Sequence, residues 1–550
     1  MSPSAYQPRG ERLLPSLVDE IAATDPDRVF YSITKTQDPS EGFRDITAAE
    51  FARGVNRCAW HIEKHLGRGQ NFPTLAYIGP QDPTYGILIL ACIKTGYKLL
   101  LLSARNTSEA SLHLLQKTEC KTLLLPPVFP LPVVGELVQT NKMNILEVPA
   151  LHHWLEDGQE KLYPFTRTFK EARTEPFLVL QTSGSTGMPK PLVMTHGTFA
   201  VQDAYTELPS HGYQDVYPAM CAGSRVYLGF PVSHSAGITM LLPGTIYAGF
   251  TAVFGPFPPT SAVIDSIHVH GNVQQSSIAP MMLVDLIKNP KYLENLRRLD
   301  QVTFGGGPLP TAVGDAVSAR TKLLNCMGAT ECTALPSQLC DPEDWAYLSY
   351  SPTLGDEFRL VADGLYEHFI VRNPKFSRYQ AIFQTFPELD EWPMKDLYAK
   401  HPTKENLWLY RGRSDDMVVF STNQKLNPIE TEDIISANPA VSAALVVGTG
   451  RPQSSLLVEA VSPPTNGSER EQLLDEIRES IEAANNALPA KQQKLGRDMI
   501  LFTSPEKPML RAGKGTVQRK WTVDAYAQEI DALYLKNGNS KSAPYTEWTR

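Results

Sequence analysis

The sequence is poor in cysteine and contains no long hydrophobic run. Its 550 residues include only 7 cysteines, whose wide spacing offers neither a disulfide framework nor a Cys-x-x-Cys metal clip. The longest apolar stretch, residues 85–93, ends at Lys94 and is well short of the ~20 residues that a membrane-spanning helix requires. The first residues lack the basic-then-apolar layout of a signal peptide. We therefore expect buried thiols and a cytoplasmic protein that does not enter a membrane.

An excess of positive charge is also missing. The chain has 51 Lys and Arg against 59 Asp and Glu, a formal charge of −8, so no whole-molecule field would draw it to nucleic acid or anionic lipid. Hydrophobic residues make up 42 % and charged residues 20 %, as in folded soluble proteins. The length exceeds the ~250–300 residues at which a single core stops growing. At least two folded units are therefore expected.

Strand-like and helix-like segments alternate along most of the chain. Residues 47–66 open with a capping box between Thr47 and Glu50 and place apolar residues on one face, which predicts an amphipathic helix. The pattern then predicts a strand at 74–78, a buried helix at 84–95, a strand at 98–102, a helix at 107–117 that Asn106 could cap, and a strand at 122–125. The alternation resumes between residues 177 and 330. It predicts layered α/β structure with a largely parallel sheet.

The pattern changes after residue 413. Two strands at 441–447 and 456–461, and a helix at 469–484 with Ser468 and Glu471 as its capping box, predict a small α+β unit. Residues from 537 onward are typical of a frayed tail. We therefore expect a large α/β domain over residues 1–414 and a small α+β domain over residues 415–550.

The most informative segment, residues 178–194, runs from an apolar strand through a polar loop into a second apolar strand. The loop extends from Thr182 to Lys190 and is rich in glycine and hydroxylated residues. Glycines let backbone N–H groups approach phosphate oxygens, hydroxyls donate further hydrogen bonds, and the lysine adds positive charge. The spacing does not fit the Walker pattern, because no Gly-Lys-[Ser/Thr] closes the loop and no helix follows directly. The segment predicts a polyphosphate-binding loop of another type.

This loop, Thr-Ser-Gly-Ser-Thr-Gly-Met-Pro-Lys, resembles the phosphate loop of the adenylate-forming superfamily. That superfamily includes acyl- and aryl-CoA ligases, luciferases and the adenylation domains of nonribosomal peptide synthetases. Other motifs follow in the family's order, and the resemblance covers roughly residues 25–530. It implies a large ATP- and acid-binding domain followed by a small mobile lid domain. The implied contacts to the ATP β- and γ-phosphates come from Thr182, Ser183, Gly184, Ser185, Thr186, Gly187 and Lys190.

A second motif, residues 325–332, resembles the family's Asn-x-Tyr-Gly-x-Thr-Glu segment. The resemblance implies that Thr330 contacts the adenylate phosphate and that Glu331 holds Mg²⁺, a hard cation suited to oxygen ligands. Met327 replaces the tyrosine that usually stacks on adenine. The nucleotide-contacting residues implied here are Asn325, Cys326, Met327, Gly328, Ala329 and Thr330.

Two further motifs fall near the change of pattern. Lys395-Asp396-Leu397 stands where the family has Gly-Asp-Leu, which implies that Asp396 accepts both ribose hydroxyls. Residues 410–416 resemble the family's Gly-Arg-x-Asp hinge, which implies that Arg413 binds ribose or phosphate and that Asp415 is the pivot of the small domain. The nucleotide-contacting residues implied in this strand are Tyr410, Arg411, Gly412 and Arg413.

The last motif, residues 508–520, resembles one that ends in Gly-Lys-x-x-Arg. The lysine of that motif bridges the substrate carboxylate and the ATP α-phosphate and stabilises charge in the transition state. The resemblance implies that Lys514 is this catalytic lysine. Because the arginine follows five positions later instead of three, Lys520 is the alternative.

Residues 230–240 resemble the segment that lines the acid pocket. His234 occupies the aromatic position that gates the channel near the carboxylate, and it joins Lys514, Thr330 and Glu331 as an expected catalytic residue. Amino-acid-activating members have Asp where this chain has Ser235, and a buried ammonium without a counterion is costly. An ordinary α-amino acid is therefore disfavoured. The remaining implied lining residues are Ala236, Thr239, Gly306, Cys326, Ala334 and Leu335.

These lining residues are small and mostly apolar, which favours a flat or bulky acid such as a benzoate. Arylpyruvates and short aliphatic acids are the alternatives. The implied chemistry is formation of an acyl-adenylate and pyrophosphate from the acid and ATP with Mg²⁺, and then transfer of the acyl group to a thiol after the small domain rotates.

Residues 77–106 and 514–519 look like fungal nonribosomal-peptide-synthetase-like carboxylic acid reductases. In those proteins the adenylation domain precedes a carrier domain with phosphopantetheine and an NADPH-dependent reductase. No Leu-Gly-Gly-x-Ser and no Gly-x-Gly-x-x-Gly motif follows residue 530, so we expect NADPH to bind only in a reductase domain outside this chain. The first hypothesis is thus a monomeric adenylation domain that loads a carrier. A free-standing acyl- or aryl-CoA ligase and a catalytically inactive adenylate-binding scaffold are the alternatives.

Overall fold

The computed structural model describes residues 7–127, 135, 137, 143–182, 188–362, 364–422, 424–488, 493–511 and 517–538. Contacts divide the chain into two compact units. The first comprises residues 1–357, 369–392 and 401–408, and the second comprises residues 358–368, 393–400 and 409–550. Three segments before residue 415 thus group with the smaller unit, and the boundary at 415 remains a prediction. Among the described helices, none is both long and apolar enough to cross a bilayer.

Sheet 1 of the first unit has seven strands. All neighbours pair in parallel except the last two, which are antiparallel. The predicted parallel α/β arrangement between residues 177 and 330 is therefore confirmed. In spatial order the strands are Lys322–Cys326, Gln301–Gly305, Gln275–Ile278, Arg225–Leu228, Thr251–Phe254, Val29–Thr34 and Phe43–Thr47.

Sheet 2 of the first unit has six strands, and its last two neighbours are antiparallel while the others are parallel. The strands predicted at 74–78, 98–102 and 122–125 all belong to it. In spatial order its strands are Asn144–Glu147, Thr122–Leu125, Thr74–Tyr77, Lys98–Leu101, Pro176–Thr182 and Lys190–Thr195.

The helices that pack around these sheets follow the sequence pattern closely. Helix Ala48–Leu66 has the predicted capping box, in which Thr47 accepts from the Glu50 backbone and Glu50 accepts from the Thr47 backbone. Helix Thr84–Thr95 is buried at every residue, which explains why its sequence has no polar face. The other helices of this unit are Leu14–Thr24, Ser108–Lys117, Leu151–Trp154, Phe169–Ala172, His196–Tyr205, Ser235–Thr239, Met240–Ala248, Ser261–His270, Pro280–Ile287, Pro290–Asn295, Thr311–Ser318 and Ile382–Thr385.

The cap predicted for helix Ser108–Lys117 is wrong. Thr107 caps this helix, because its side chain accepts a hydrogen bond from the Ala110 backbone. Asn106 instead exchanges two hydrogen bonds with the Gln181 amide, at 2.7 and 2.9 Å. The Thr107 hydroxyl accepts from the N–H group at the helix start. Asn106 connects this loop to strand Pro176–Thr182, which leads into the phosphate loop.

The second unit contains a sheet of three strands, Val441–Val447, Ser455–Ala460 and Ile500–Phe502. The first pair is antiparallel and the second is parallel. The helix predicted at 469–484 is two helices, Gly467–Glu476 and Arg478–Asn486. The predicted Ser468–Glu471 capping box is also wrong, because Asn466 caps the first helix by accepting from the Glu469 backbone at 2.9 Å.

The other elements of the second unit surround this sheet or precede it in the chain. Most of the predicted tail, residues 539–550, lies outside the described residues. Strands Asp356–Ala362, Leu365–Val371, Glu391–Lys400 and Trp408–Arg413 are successive neighbours in one sheet, and most of their residues belong to this unit. The remaining α-helices among the described residues of this unit are Ile429–Ser436, Arg519–Ala525 and Ala527–Gly538, and a short strand pair is formed by Val418–Val419 and Lys425–Leu426.

Candidate active site

The two strands predicted to flank the phosphate-loop motif are both present. Strands Pro176–Thr182 and Lys190–Thr195 pair in antiparallel fashion, and Thr182 lies opposite Lys190 at the point where the loop leaves and returns. The side chain of Lys190 is exposed. The predicted phosphate contacts Ser183, Gly184, Ser185, Thr186 and Gly187 lie outside the described residues.

The Thr330–Glu331 motif forms a tight hairpin beyond the carboxyl end of an edge strand of sheet 1. Strand Lys322–Cys326 leads into Gly328–Ala329, which pairs with Thr333–Ala334. A Cβ at Gly328 would lie 2.6 Å from the Thr333 carbonyl oxygen, so the close approach of the two backbones requires glycine. Thr330 and Glu331 are half-buried in the turn between the strands. Ligands of α/β proteins bind at this end of the strands.

Side chains from distant parts of the first unit fix this hairpin. Gln202 donates to Thr333 Oγ1 at 2.8 Å and to the Ala334 carbonyl at 2.9 Å. Thr385 Oγ1 donates to the Glu331 carbonyl at 2.8 Å. Sequence reasoning did not identify Gln202 or Thr385, because neither belongs to a motif and each bonds to a residue far away along the chain.

The predicted nucleotide-contacting residues of this segment have different local roles. The Asn325 amide donates to the Ala346 carbonyl at 2.9 Å, so it ties the strand to the following loop. Burial raises the pKa of the Cys326 thiol to about 12, which keeps it protonated and non-nucleophilic at neutral pH. The Met327 carbonyl accepts from the Leu335 backbone at 3.0 Å. Ala329, Thr330 and Glu331 follow in the hairpin.

The acid-pocket segment forms the short helix Ser235–Thr239, which begins at His234. The Nδ1 atom of His234 accepts from the Ala236 backbone at 3.2 Å, so a neutral ring carries its proton on Nε2. The imidazole is exposed, whereas Ser235 and Thr239 are 8 % and 2 % exposed.

This helix contacts strand Thr333–Ala334 of the hairpin. Ala334 and Leu335 are buried there. Gly305, the last residue of strand Gln301–Gly305, pairs with Cys326. Gly306 follows it directly and has a φ of +85°. The structure therefore brings the predicted acid-lining residues to the hairpin that contains Thr330 and Glu331.

In the second unit, Asp396 and Arg413 form an ion pair. Arg413 Nη1 lies 3.1 Å from Asp396 Oδ1, and the aspartate is buried. Arg413 Nη2 also lies 3.6 Å from Asp415, and Lys395 Nζ lies 3.3 Å from the same carboxylate. The predicted ribose acceptor, the predicted ribose- or phosphate-binding arginine and the predicted pivot are thus neighbours.

The rest of strand Trp408–Arg413 is held by packing and backbone contacts. A Cβ at Gly412, which has a φ of +106°, would lie 2.5 Å from Ile429. The Arg411 carbonyl accepts from the Asn427 amide. The Tyr410 ring meets the buried Tyr398 ring edge-on at 5.8 Å, and burial raises the pKa of Tyr410.

Lys514 lies outside the described residues, and its alternative Lys520 is exposed on helix Arg519–Ala525. The arginine of the same motif, Arg519, has partners within the second unit. Arg519 Nη2 lies 2.6 Å from Glu432 Oε1, and its Nη1 donates to the Val446 carbonyl at 2.9 Å. The Arg519 side chain therefore binds groups in the interior of the second unit.

Three acidic side chains outside these motifs lie close together. Asp341, Glu343 and Asp344 have carboxylate oxygens within 4.8 Å of one another. Lys404 pairs with all three, because its ammonium lies 2.9 Å from Asp341, 3.5 Å from Glu343 and against Asp344. This group is a lysine-centred ion-pair cluster of the first unit.

Two protein-family models match this chain. The family described as AMP-binding enzyme matches residues 18–364, and the AMP-binding enzyme C-terminal domain matches residues 415–538. The chain belongs to the AMP-binding enzyme family. It is an AMP-forming adenylation enzyme that activates a carboxylic acid as its adenylate.

Several proteins with assigned names are similar to this chain in sequence. The chain is 36 % identical to the isocyanide synthase-NRPS hybrid crmA of Aspergillus fumigatus over 97 % of its own length and 34 % of the relative's. It is 36 % identical to a carboxylic acid reductase of Neurospora crassa, over 97 % and 52 % of the two lengths. It is 31 % identical to the adenylate-forming reductase Nps9 of Serpula lacrymans, over 92 % and 48 %. The chain thus spans about half or less of the length of these relatives.

Solved structures share the fold at low sequence identity. The anthranilate CoA ligase AuaEII in complex with anthranoyl-AMP matches with a TM-score of 0.69 and 14 % identity, over 97 % of this chain and 99 % of that one. ATP-bound MatB from Rhodopseudomonas palustris matches with a TM-score of 0.70 and 16 % identity, over 94 % and 100 %. The fold is that of adenylate-forming enzymes.

Proposed function

We propose that this chain activates an aryl carboxylic acid with ATP and then transfers the acyl group to the phosphopantetheine thiol of a carrier domain. The observation that carries the proposal is the contact between the acid-lining helix Ser235–Thr239 and the hairpin that contains Thr330 and Glu331. Because of this contact, an acid bound at the helix and a phosphate bound at the turn would lie next to each other within one unit.

The proposed chemistry has two half-reactions. A carboxylate oxygen of the acid attacks the α-phosphorus of ATP, and the bond to pyrophosphate breaks. The carrier thiol then attacks the acyl carbon as a thiolate, AMP leaves, and a thioester forms. Lys514 would stabilise charge at the α-phosphate in the first half-reaction, and Thr330 would contact the adenylate phosphate.

Glu331 fits the proposed Mg²⁺ site. It is a half-buried carboxylate in a turn with solvent access, and Mg²⁺ prefers one or two carboxylates together with phosphate oxygens and water. The ion would neutralise phosphate charge. Asp396 would accept the ribose hydroxyls, and Arg413, its partner at 3.1 Å, would orient that carboxylate and bind ribose or phosphate.

An aryl acid is favoured by the small residues at the pocket positions. Ser235 is buried and uncharged, so a substrate ammonium would lose its hydration without gaining a counterion at this position. Ala236, Ala334 and Thr239 leave space for a flat ring. Arylpyruvates and short aliphatic acids are the competing substrate classes.

A carrier domain is favoured as acceptor by the names of the relatives that are 31–36 % identical to this chain. The relatives at 31–36 % identity are named as reductases and an NRPS hybrid, whereas the named CoA ligases match at 14–17 %. We propose that in the complete protein the carrier follows this chain and that NADPH-dependent reduction to an aldehyde takes place in a further domain. Rotation about Asp415 would switch between the half-reactions, with residues 415–550 as the moving domain.

A screen for acid-dependent exchange of labelled pyrophosphate into ATP tests the first half-reaction. Benzoates, cinnamates, arylpyruvates and aliphatic acids are compared, and the benzoates are expected to give the highest rates. Exchange with none of these acids would support the inactive scaffold. Mass spectrometry with an offered holo-carrier and with CoA then separates a carrier-loading domain from a free-standing ligase.

Paired lysine variants test the catalytic assignment. Lys514→Ala should abolish most pyrophosphate exchange while it spares transfer from a supplied acyl-adenylate, because its charge is needed only for the first half-reaction. Lys520→Ala is the matched control and should keep near-normal exchange. The reverse pattern would assign the role to Lys520.

A further inference from the structure

Side chains of helix His196–Tyr205 are hydrogen-bonded, directly or through Thr385, to the turn that contains Thr330 and Glu331. This helix begins directly after strand Lys190–Thr195, which returns from the phosphate loop. Every residue of the helix is buried. It therefore provides a rigid connection between two segments that the proposed function assigns to the phosphates and to Mg²⁺.

Three threonine hydroxyls form a chain from the start of this helix to the turn. Thr195 Oγ1 lies 3.1 Å from Thr198 Oγ1, which lies 3.0 Å from Thr385 Oγ1. Thr385 Oγ1 in turn lies 2.8 Å from the Glu331 carbonyl oxygen. The chain thus joins the N-cap of the helix to the backbone of the proposed Mg²⁺ ligand.

The distances fix the direction of these hydrogen bonds. Each hydroxyl has a single proton, and that of Thr385 goes to Glu331 because the alternative acceptor, the Ala381 carbonyl, is 3.4 Å away. Thr198 must then donate to Thr385, and Thr195 must donate to Thr198. All three bonds point the same way, an arrangement in which each bond polarises and strengthens the next.

Gln202 fixes the other side of the turn. Its amide group has two N–H donors, and they go to Thr333 Oγ1 and to the Ala334 carbonyl, at 2.8 and 2.9 Å. Thr333 has a φ of +62°, which is strained for a β-branched residue and persists only where the surroundings enforce it. Gln202, 1 % exposed, is part of these surroundings through its two hydrogen bonds.

We propose that Thr385, Thr198 and Gln202 are positioning residues for the metal–nucleotide turn. They fix the backbone on both sides of Glu331 and set its carboxylate relative to the strand that follows the phosphate loop. This inference rests on the proposed role of Glu331. Removing the Thr385 donor should loosen the turn and weaken binding of the divalent cation together with ATP, with little effect on the acid.

Mn²⁺ binding in the presence of ATP, followed by electron paramagnetic resonance, is the direct test in the full chain. Thr385→Val keeps the shape but loses the hydroxyl, and we expect about ten-fold weaker Mn²⁺ binding. The kcat of pyrophosphate exchange should fall by a similar factor, with the KM for the acid unchanged. Thr385→Ser restores the donor and should return both values to within two-fold of the wild type.

Thr245→Val is the control, because the Thr245 hydroxyl also donates to a backbone carbonyl of the first unit, that of Leu241 at 2.7 Å, and among the described residues makes no hydrogen bond to the hairpin. It should leave Mn²⁺ binding unchanged. Gln202→Met is a second test variant, which should weaken Mn²⁺ binding even if Thr385→Val fails to fold. Wild-type Mn²⁺ binding by either folded test variant, or a Thr385→Ser variant as weak as Thr385→Val, would overturn the proposal.

Glu331→Gln separates the two levels of inference. If it binds Mn²⁺ like the wild type, the proposed role of Glu331 is wrong, and the positioning role falls with it. If Glu331→Gln loses binding while Thr385→Val and Gln202→Met retain it, only the positioning role is overturned.

Discussion

The ammonium of Lys395 lies 3.3 Å from the Asp415 carboxylate, and Lys395 itself has a φ of +62°. A lysine thus occupies a left-handed backbone position, which favours glycine. Its neighbour Asp396 pairs with Arg413 at 3.1 Å. The Lys395–Asp415 pair therefore fastens the proposed pivot to the segment that contains the proposed ribose acceptor.

We predict that Lys395→Gly is at least as stable as the wild type and that Lys395→Ala is less stable than Lys395→Gly. The left-handed conformation costs a non-glycine residue about 1 kcal/mol, whereas an exposed ion pair contributes about 0–1 kcal/mol. Urea denaturation of the three proteins measures the difference. Equal stability of the alanine and glycine variants would mean that the backbone at residue 395 is not strained.

The same two variants test the pivot. Both lose the contact with Asp415, so both should alter the rate of thioester transfer more than the rate of adenylation. Single-turnover assays of each half-reaction provide the comparison. An equal change in both half-reactions would argue against a pivot at Asp415.

Ser235→Asp should weaken use of an aryl acid. Ser235 is 8 % exposed, so the new carboxylate would lie among small, mostly apolar side chains and would repel the substrate carboxylate. We expect a rise in the KM for the acid of about ten-fold or more, which corresponds to about 1.4 kcal/mol. Ser235→Ala is the control and should keep a near-normal KM. An unchanged KM in Ser235→Asp would place the acid pocket elsewhere.

Acid should destabilise the fold through buried histidines. Burial lowers the pKa of His196, His268 and His368 to about 3, whereas an unfolded histidine binds a proton near pH 6.5. Falling pH therefore favours the unfolded chain. The stability that these neutral rings allow is fully present above about pH 6.5 and is lost as the pH falls toward 3.

His268→Gln should reduce this pH dependence. Between pH 7.5 and 5.5 the variant should lose about 1.4 kcal/mol less free energy of unfolding than the wild type, because one histidine fewer takes up a proton on unfolding. His270→Gln, at the exposed end of the same helix, is the matched control. Urea unfolding at several pH values measures the slopes, and parallel slopes for wild type and His268→Gln would contradict the prediction.

Arg519→Met should destabilise the second unit strongly. Glu432 and Arg519 are 10 % and 15 % exposed in their side chains, and loss of one partner leaves a buried charge that costs about 3–5 kcal/mol. Combination with Glu432→Met should recover most of this loss. Lys520→Ala, one residue later and exposed, should change stability by less than about 0.5 kcal/mol. Denaturation of the four proteins tests this, and a mild effect of Arg519→Met alone would show that Glu432 is solvated.

The sequence predicted those features that depend on nearby residues. The capping box at Thr47 and Glu50, the wholly buried helix Thr84–Thr95 and the two strands that flank the phosphate-loop motif all follow from local periodicity and spacing. The family follows from the same motifs in their order. Two cap predictions, at Asn106 and at Ser468 with Glu471, were wrong because several polar side chains near each helix start compete for the same N–H groups.

Tertiary structure alone decided how the candidate site is held. Gln202 bonds to Thr333 and Thr385 bonds to Glu331 across 131 and 54 residues of chain. Arg519, which lies in the last motif, pairs with Glu432 across 87 residues of chain. Local sequence determines where a helix or a loop begins. It does not determine which distant donor reaches a given carbonyl, because that depends on how the packed elements place their side chains.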